Sequence, residues 1–251
     1  MDKWKESIQG FDKRRGLFIG ETLEETIKFC VEQFIDIGQK AIKDHNFFAV
    51  AISGGQTPNA IFRQLSEDKN KNKLDWSKVL LFWSDERAVS PDDPESNYHN
   101  AMEAGLNKLP MLPDHIFRMV GEKDIEENGA AYDALIRYVL PTLQFDLMML
   151  GIGEDGHTAS LFPKSHALCA VVKLAVANYV SQKNTWRMTL TYEAINHASQ
   201  INIYALGKNK AEIVAKALTG PYDPDEFPVQ KVGTPSHKAL WILDKDAAAK
   251  L

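Results

Sequence analysis

The sequence is short of several things, and each shortage narrows its class. Cysteine occurs only twice, at Cys30 and Cys169, in unrelated contexts. That excludes a disulfide scaffold or thiolate metal cluster and suits a reduced compartment. No apolar run approaches the roughly 20 residues that a membrane-spanning helix needs, so no membrane partner is expected. The opening Met1-Asp-Lys-Trp-Lys-Glu6 is too polar for a secretory signal, and a cytoplasmic location is the expectation. Basic residues are not in excess: the net charge is -5, so nothing favours nucleic acid. Apart from His157, the histidines (His45, His99, His115, His166, His197 and His237) show no metal-ligand spacing. His157 with His166 lacks a supporting carboxylate pattern, and no metal is expected. There is no internal repeat, low-complexity tract or dividing linker, so residues 1–251 are expected to form a single domain.

What is present reads as alternating strands and helices. The spacing predicts strands over 16–20, 47–52, 79–83, 145–150, 187–191, 201–206 and 239–243. Helices are expected over 23–44, from Pro58 with Thr57 as cap, from Ser96-Asn97 to about 109, and over 124–139, 193–198 and 209–218. Thr22 with Glu25 makes a capping box, followed by a stripe of Leu23, Ile27, Val31, Phe34, Ala41 and Ile42. The proline-rich stretch 219–236 reads as a long surface loop. This alternation predicts an α/β fold: a mostly parallel, Rossmann-like sheet between helices, a three-layer α/β/α sandwich. In such sheets ligands bind outside the carboxyl ends of the strands.

Those ends carry the polar chemistry. The run Leu147–Leu150 breaks into Gly151-Ile-Gly-Glu-Asp-Gly-His157-Thr-Ala-Ser-Leu-Phe-Pro163. This matches G-x-G-x-x-G literally, but Pro163 prevents a long following helix and no acid follows at the distance a ribose requires. By residue chemistry alone, His157 is either a catalytic base or a histidine that hydrogen-bonds its own turn. Ser53-Gly54-Gly55-Gln-Thr57-Pro58 is either an ordinary strand-to-helix turn or an anion cradle, with backbone N–H groups aimed at a phosphate. It is not a nucleotide P-loop, because no Gly-Lys-Ser/Thr follows. Ser84-Asp85-Glu86-Arg87 is a solvated triplet of charges or part of a site. Arg187 and Lys208 pair with a phosphate or with surface carboxylates.

Taken in order, Ser53–Pro58, Ser84–Arg87, Ser96-Asn97, Gly151–Pro163, Arg187-Met-Thr-Leu-Thr191 and Gly207-Lys208 resemble the 6-phosphogluconolactonase family. This is the lactonase branch of the glucosamine/galactosamine-6-phosphate isomerase superfamily. The likeness runs from about residue 16 to residue 245. It implies the sugar-phosphate isomerase/deaminase-like fold and hydrolysis of 6-phospho-D-glucono-1,5-lactone to 6-phospho-D-gluconate, a step of the oxidative pentose phosphate pathway. The deaminase branch places a glutamate where this chain has Phe162, and Asp-Glu-Tyr where it has Asp85-Glu86-Arg87. The lactonase reading is therefore preferred to a glucosamine-6-phosphate deaminase or a non-catalytic sugar-phosphate sensor. By the same resemblance His157 takes a proton from water, Asp155 orients the ring or holds the water, and Ser53, Gly54, Gly55, Thr57, Asp85, Arg87, Arg187 and Lys208 bind substrate and phosphate. The expected partner is the small sugar-phosphate lactone, with no cofactor, and the protein is expected to be a monomer.

Overall fold

The computed structural model describes residues 3–251. Met1 and Asp2, part of the start read as too polar for a signal, lie outside the described residues. In chain order the elements are β1 (Gln9–Gly10), β2 (Arg15–Gly20), α1 (Leu23–His45), β3 (Phe48–Ile52), α2 (Gln56–Leu65), α3 (Asp68–Lys71), β4 (Val79–Trp83), β5 (Asp85–Arg87) and α4 (Asn97–Glu103). They continue with β6 (Ile116–Phe117), α5 (Ile125–Val139), β7 (Leu147–Gly151), β8 (Ala175–Val180), β9 (Thr185–Leu190), α6 (Tyr192–His197), β10 (Gln200–Ala205), α7 (Ala211–Thr219) and β11 (Ala239–Asp244).

The central sheet has eight strands in the order β1-β2-β11-β10-β7-β3-β4-β6, and every neighbouring pair except β1 with β2 is parallel. Its strands β3, β4 and β11 are buried along their whole length. Continuous apolar runs of this kind arise where helices cover both faces of a parallel sheet, as the α/β expectation requires. From β3 the chain steps outward through β4 to β6. It then returns to β7, beside β3, and steps the other way through β10 to β11. The carboxyl ends of β3 and β7 therefore form the topological switch point, where crevices open in sheets of this type.

Local chemistry accounts for the helices. Thr22 caps α1 by accepting from the Glu25 amide at 3.2 Å, and Glu25 reaches back to the Glu21 amide at 3.1 Å. The α1 stripe buries Ile27, Val31, Phe34 and Ala41, whereas Leu23, expected in the same stripe, is exposed. Helix α2 begins at Gln56 with Gly55 at the cap, not at Pro58 with Thr57 as cap. Pro58 is then its third residue, which is still among the first four whose N–H groups have no intrahelical acceptor. The helix expected to reach 109 stops at Glu103, where the chain turns at Gly105 into a short 3₁₀ turn, Leu106–Lys108.

A second sheet was not foreseen. Strands β5, β9 and β8 form a three-stranded antiparallel sheet. It joins the first through Ser84, whose amide donates to Ile52 O at 2.7 Å and whose carbonyl accepts from the Leu190 amide at 2.8 Å. The 219–236 stretch is also more than a surface loop. Residues 228–231 make a 3₁₀ turn, and Val229, Gln230 and Val232 are buried. The Gln230 amide group donates to Pro221 O at 3.0 Å, and its Oε1 accepts from the Asp223 amide at 2.7 Å.

The core is a continuous apolar cluster through the central sheet. Phe82 lies at its centre, fully buried, with Phe117, Tyr132 and Phe145 at ring-centroid distances of 4.6, 6.3 and 5.3 Å. Phe82→Ala is expected to destabilise the fold by about 3–5 kcal/mol, through lost transfer energy and the cavity left behind. Urea unfolding checks this: the midpoint should fall at unchanged slope.

Candidate active site

Strand β7 delivers the loop that carries His157. Inside this loop the Gly153 amide donates to His157 O at 2.9 Å and the Gly156 amide to Gly153 O at 3.0 Å. The turn is so tight that a Cβ on Gly153 would stand 2.1 Å from His157 Nδ1, so a glycine is required there. The His157 ring is 28% exposed and lies 4.0 Å from the Phe162 ring, nearly parallel at 17°. Its Nδ1 sits 2.5 Å from Asp155 Oδ1, and the same oxygen accepts from the His157 amide at 3.2 Å. A carboxylate accepts only, so Nδ1 carries the proton, and in the neutral form of the ring the lone pair is on Nε2. Burial raises the Asp155 carboxyl pKa, but its hydrogen bond to His157 and the charge of that ring outweigh burial and hold it below the usual carboxylate range.

The loop is braced from several sides. Thr158 Oγ1 donates to Gly151 O at 2.8 Å, and Lys210 Nζ donates to Ile152 O at 2.8 Å. The Val229 amide donates to Gly156 O at 3.0 Å, and Phe227 packs against Gly156. The segment expected to be a long surface loop thus packs against the loop that carries His157.

Strand β3 delivers the Ser53 loop beside it. A Cβ on Gly54 would lie 1.9 Å from Asn97 Oδ1, so only glycine lets the loop pass that side chain. Gly55 caps α2 with no side-chain bond, and Thr57 is the second residue of that helix. The first amides of α2 are thereby left to an external acceptor, at the positive end of the helix. The Ser53 hydroxyl is buried with no hydrogen-bond partner among the described residues.

The small sheet supplies the charges. Arg87 and Arg187 are directly paired across β5 and β9, two positions along from the pair Asp85 and Thr189, so these four share one face. Arg87 donates to Glu95 O at 2.8 Å. Burial, and then the charge of Arg87, press the Arg187 guanidinium pKa down against the opposing pull of Asp85, Glu95 and Glu86. The Arg187 Nε is buried without a partner among the described residues. Asp85 is directed inward: its carboxylate accepts from Ser160 Oγ at 2.7 Å and lies 3.3 Å from Asn97 Nδ2. Glu86 accepts the amides of Arg87, Asn97 and Tyr98 at 2.7, 2.7 and 2.8 Å, and burial raises its pKa in spite of them. Lys208 stands exposed in the 3₁₀ turn after β10, at the same edge of the central sheet.

The structure therefore brings His157, Asp155, the Ser53–Thr57 loop, Arg87 and Arg187 to the carboxyl edge, with Lys208 on its rim and Asp85 beneath. Sequence reasoning did not single out Ser160, Thr189 or Lys210, whose partners are distant in the chain. Among the described residues no group of three or more His, Cys, Asp or Glu side chains is placed to hold a metal ion. A cavity of about 420 Å³ lies at the opposite ends of β3, β7 and β10, near His45, Phe47, Asp146 and Gln200, and includes none of these groups.

Comparison with known proteins follows the same lines. The family described as glucosamine-6-phosphate isomerases/6-phosphogluconolactonase matches residues 21–241. A 6-phosphogluconolactonase of Chlamydia trachomatis is 39% identical over 234 residues, covering 93% of this chain and 90% of the relative. The crystal structure of devB protein is 31% identical with a TM-score of 0.87, covering 94% of this chain and 99% of that one. The 6-phosphogluconolactonase from Trypanosoma cruzi is 25% identical with a TM-score of 0.83, covering 97% and 98%.

The Asp155–His157 contact has a measurable signature. In His157→Ala the side-chain hydrogen bond and the ring charge that lower the Asp155 pKa are lost while the backbone hydrogen bonds and part of its burial stay, so that pKa should rise. Carboxyl-carbon NMR titration of both proteins checks the sign. Because the pKa is depressed in the folded wild type, the stability linked to this pair is present above the unfolded-state pKa. It is lost as pH falls through the folded one.

Proposed function

The chain belongs to the family of glucosamine-6-phosphate isomerases and 6-phosphogluconolactonases, and on that premise we infer that it hydrolyses 6-phospho-D-glucono-1,5-lactone to 6-phospho-D-gluconate in the oxidative pentose phosphate pathway. The observation that carries the choice of branch is the His157–Phe162 stack. Isomerisation with deamination moves protons between carbons and opens a ring, and the deaminase pattern keeps a carboxylate at this position. Here an apolar ring lies against the imidazole instead. A lactone is an activated ester and needs only an activated water and a proton for the leaving oxygen.

The steps follow from the tautomer. Asp155 holds the proton on Nδ1, and Nε2 accepts a proton from a water molecule as that water attacks C1 of the lactone. The carbonyl becomes a tetrahedral oxyanion. Its collapse breaks the bond from C1 to the ring oxygen, and the imidazolium returns its proton to that oxygen as it leaves. The products are the carboxylic acid, which ionises, and the free hydroxyl. General-base action of this kind contributes about 10²–10⁴-fold.

The substrate phosphate is held by Arg87 and Arg187, with the amides of the Ser53-Gly54-Gly55-Gln56-Thr57 turn and with Lys208 at the rim. Charge-assisted contacts supply orientation as well as affinity. Support comes from Arg187, a half-buried cation paired across the strands with another cation and with its buried Nε unpartnered among the described residues, which an anion would stabilise. Asp85 serves this part of the site from below. Residues 1–251 act as one domain in this reading, supported by the continuous core. A monomer working in the cytoplasm without a cofactor completes it. Cys30 and Cys169 are both free, and no helix among the described residues is long and apolar enough to cross a membrane.

His157→Ala should lower kcat for freshly prepared lactone by about 100-fold or more, above the spontaneous rate, while binding of 6-phosphogluconate persists. Near-wild-type turnover would sink the assignment, as would ammonia release from glucosamine 6-phosphate at a comparable rate. Arg187→Ala should chiefly raise KM, since it removes binding common to ground and transition states. An unchanged KM with reduced kcat would refute the clamp.

A further inference from the structure

Ser160 lies three residues beyond His157 and is almost completely buried. Each of its polar atoms is used, and each goes to a different strand of the small sheet. Its hydroxyl donates to Asp85 Oδ2 on β5 at 2.7 Å. Its amide donates to Thr189 Oγ1 on β9 at 3.1 Å, and its carbonyl accepts from Asn178 Nδ2 on β8 at 2.9 Å. Asp85 and Thr189 are paired in register, two residues from the paired arginines Arg87 and Arg187, and Asn178 is paired with Arg187. The loop that carries the imidazole is thus fastened to the sheet face that carries both guanidinium groups.

We propose that Ser160 is a positioning residue that sets the distance between the water-activating imidazole and the phosphate clamp, so that phosphate binding places C1 of the lactone at His157. The proposal rests on the reading of the site as a base plus a phosphate clamp. Its physical basis is that the two working parts are built on different sheets. His157 rides on the central sheet through β7, whereas the arginines ride on the small one. Between the base loop and the small sheet, these three buried hydrogen bonds all converge on one residue. Buried bonds of this kind specify a single arrangement, because leaving one partner unsatisfied costs its full desolvation. A misplacement of about 1 Å is enough to cost a reaction on the order of 10²-fold when its reactants must be held in near-attack geometry.

The role has a signature that general damage to the loop lacks. A substrate without a phosphate, D-glucono-1,5-lactone, is not placed by the clamp and should not sense the registration. For Ser160→Ala, kcat on the phosphorylated lactone should fall by about 10-fold or more, with KM within about 3-fold of wild type. The rate on D-glucono-1,5-lactone should stay within about 2-fold, so the preference of the enzyme for the phosphorylated substrate collapses. Thr189→Val, which removes the acceptor of the Ser160 amide, should produce the same selective loss, and Thr189→Ser, which keeps the hydroxyl, should restore the preference. This second pair decides the matter if Ser160→Ala does not fold. An equal fall on both lactones means loop damage and overturns the proposal, and so does a preference that survives in Ser160→Ala or Thr189→Val. A wild-type protein with no preference for the phosphorylated lactone overturns the clamp itself, and the registration with it.

Discussion

The geometry of the site depends on the passage of the chain through Ser84. Strand β4 is a buried element of the central sheet, and one residue later the same chain is β5, the edge of the small sheet. The Ser84 backbone bonds to Ile52 on one side and Leu190 on the other, so the two sheets meet at a hydrogen-bonded seam. Ile52 is the last residue of β3 before the Ser53 loop, and Leu190 ends the strand that carries Arg187. The Ser53 loop and the arginines are therefore placed by the same few bonds.

The seam buries two carboxylates in succession, and their surroundings show how that is tolerated. Glu86 is held by three amides, two of them in the first turn of α4, and by the Ser96 hydroxyl at 3.1 Å. A carboxylate at a helix start is favoured by the partial positive charge there. Asp85 is held by Ser160 and Asn97, with the charge of Arg187 near enough to feel it. Among the described residues neither acid forms a direct ion pair with Arg187, whose Nε is left without a hydrogen-bond partner there.

The central sheet was legible because β3, β4 and β7 are apolar from end to end, a direct record of burial on both faces. The Asp155–His157 pair was legible because its members are two residues apart. The small sheet was not, and the reason lies in β5: its sequence is Asp-Glu-Arg, and its acids are buried only because the start of α4 satisfies Glu86 and the distant Ser160 satisfies Asp85. Ser160 and Asp85 are separated by 75 positions, and Lys210 and Ile152 by 58, and nothing local announces either contact. The start of α2 was misplaced for a different reason. Proline at a first helical position is the common pattern, but Gly54 and Gly55 let the chain turn early enough for the helix to begin before it. The stretch 219–236 reads as a surface loop because Pro221, Pro224, Pro228 and Pro235 and its glycines interrupt it, whereas Gln230, a single polar side chain, organises it from within.

The place of β11 has a consequence for how such a chain is made. Strand β11 lies between β2, far earlier in the chain, and β10, and its register with β2 runs from Ala239 on Arg15 to Asp244 on Gly20. On the ribosome β2 must therefore wait for more than 200 residues before its parallel partner appears. Until then β10 presents an open, apolar edge of the kind that invites pairing with another chain. The central sheet closes only once residues 239–244 have been made, so its completion is a long-range event, and nascent chains cut short before residue 239 are the ones that need protection.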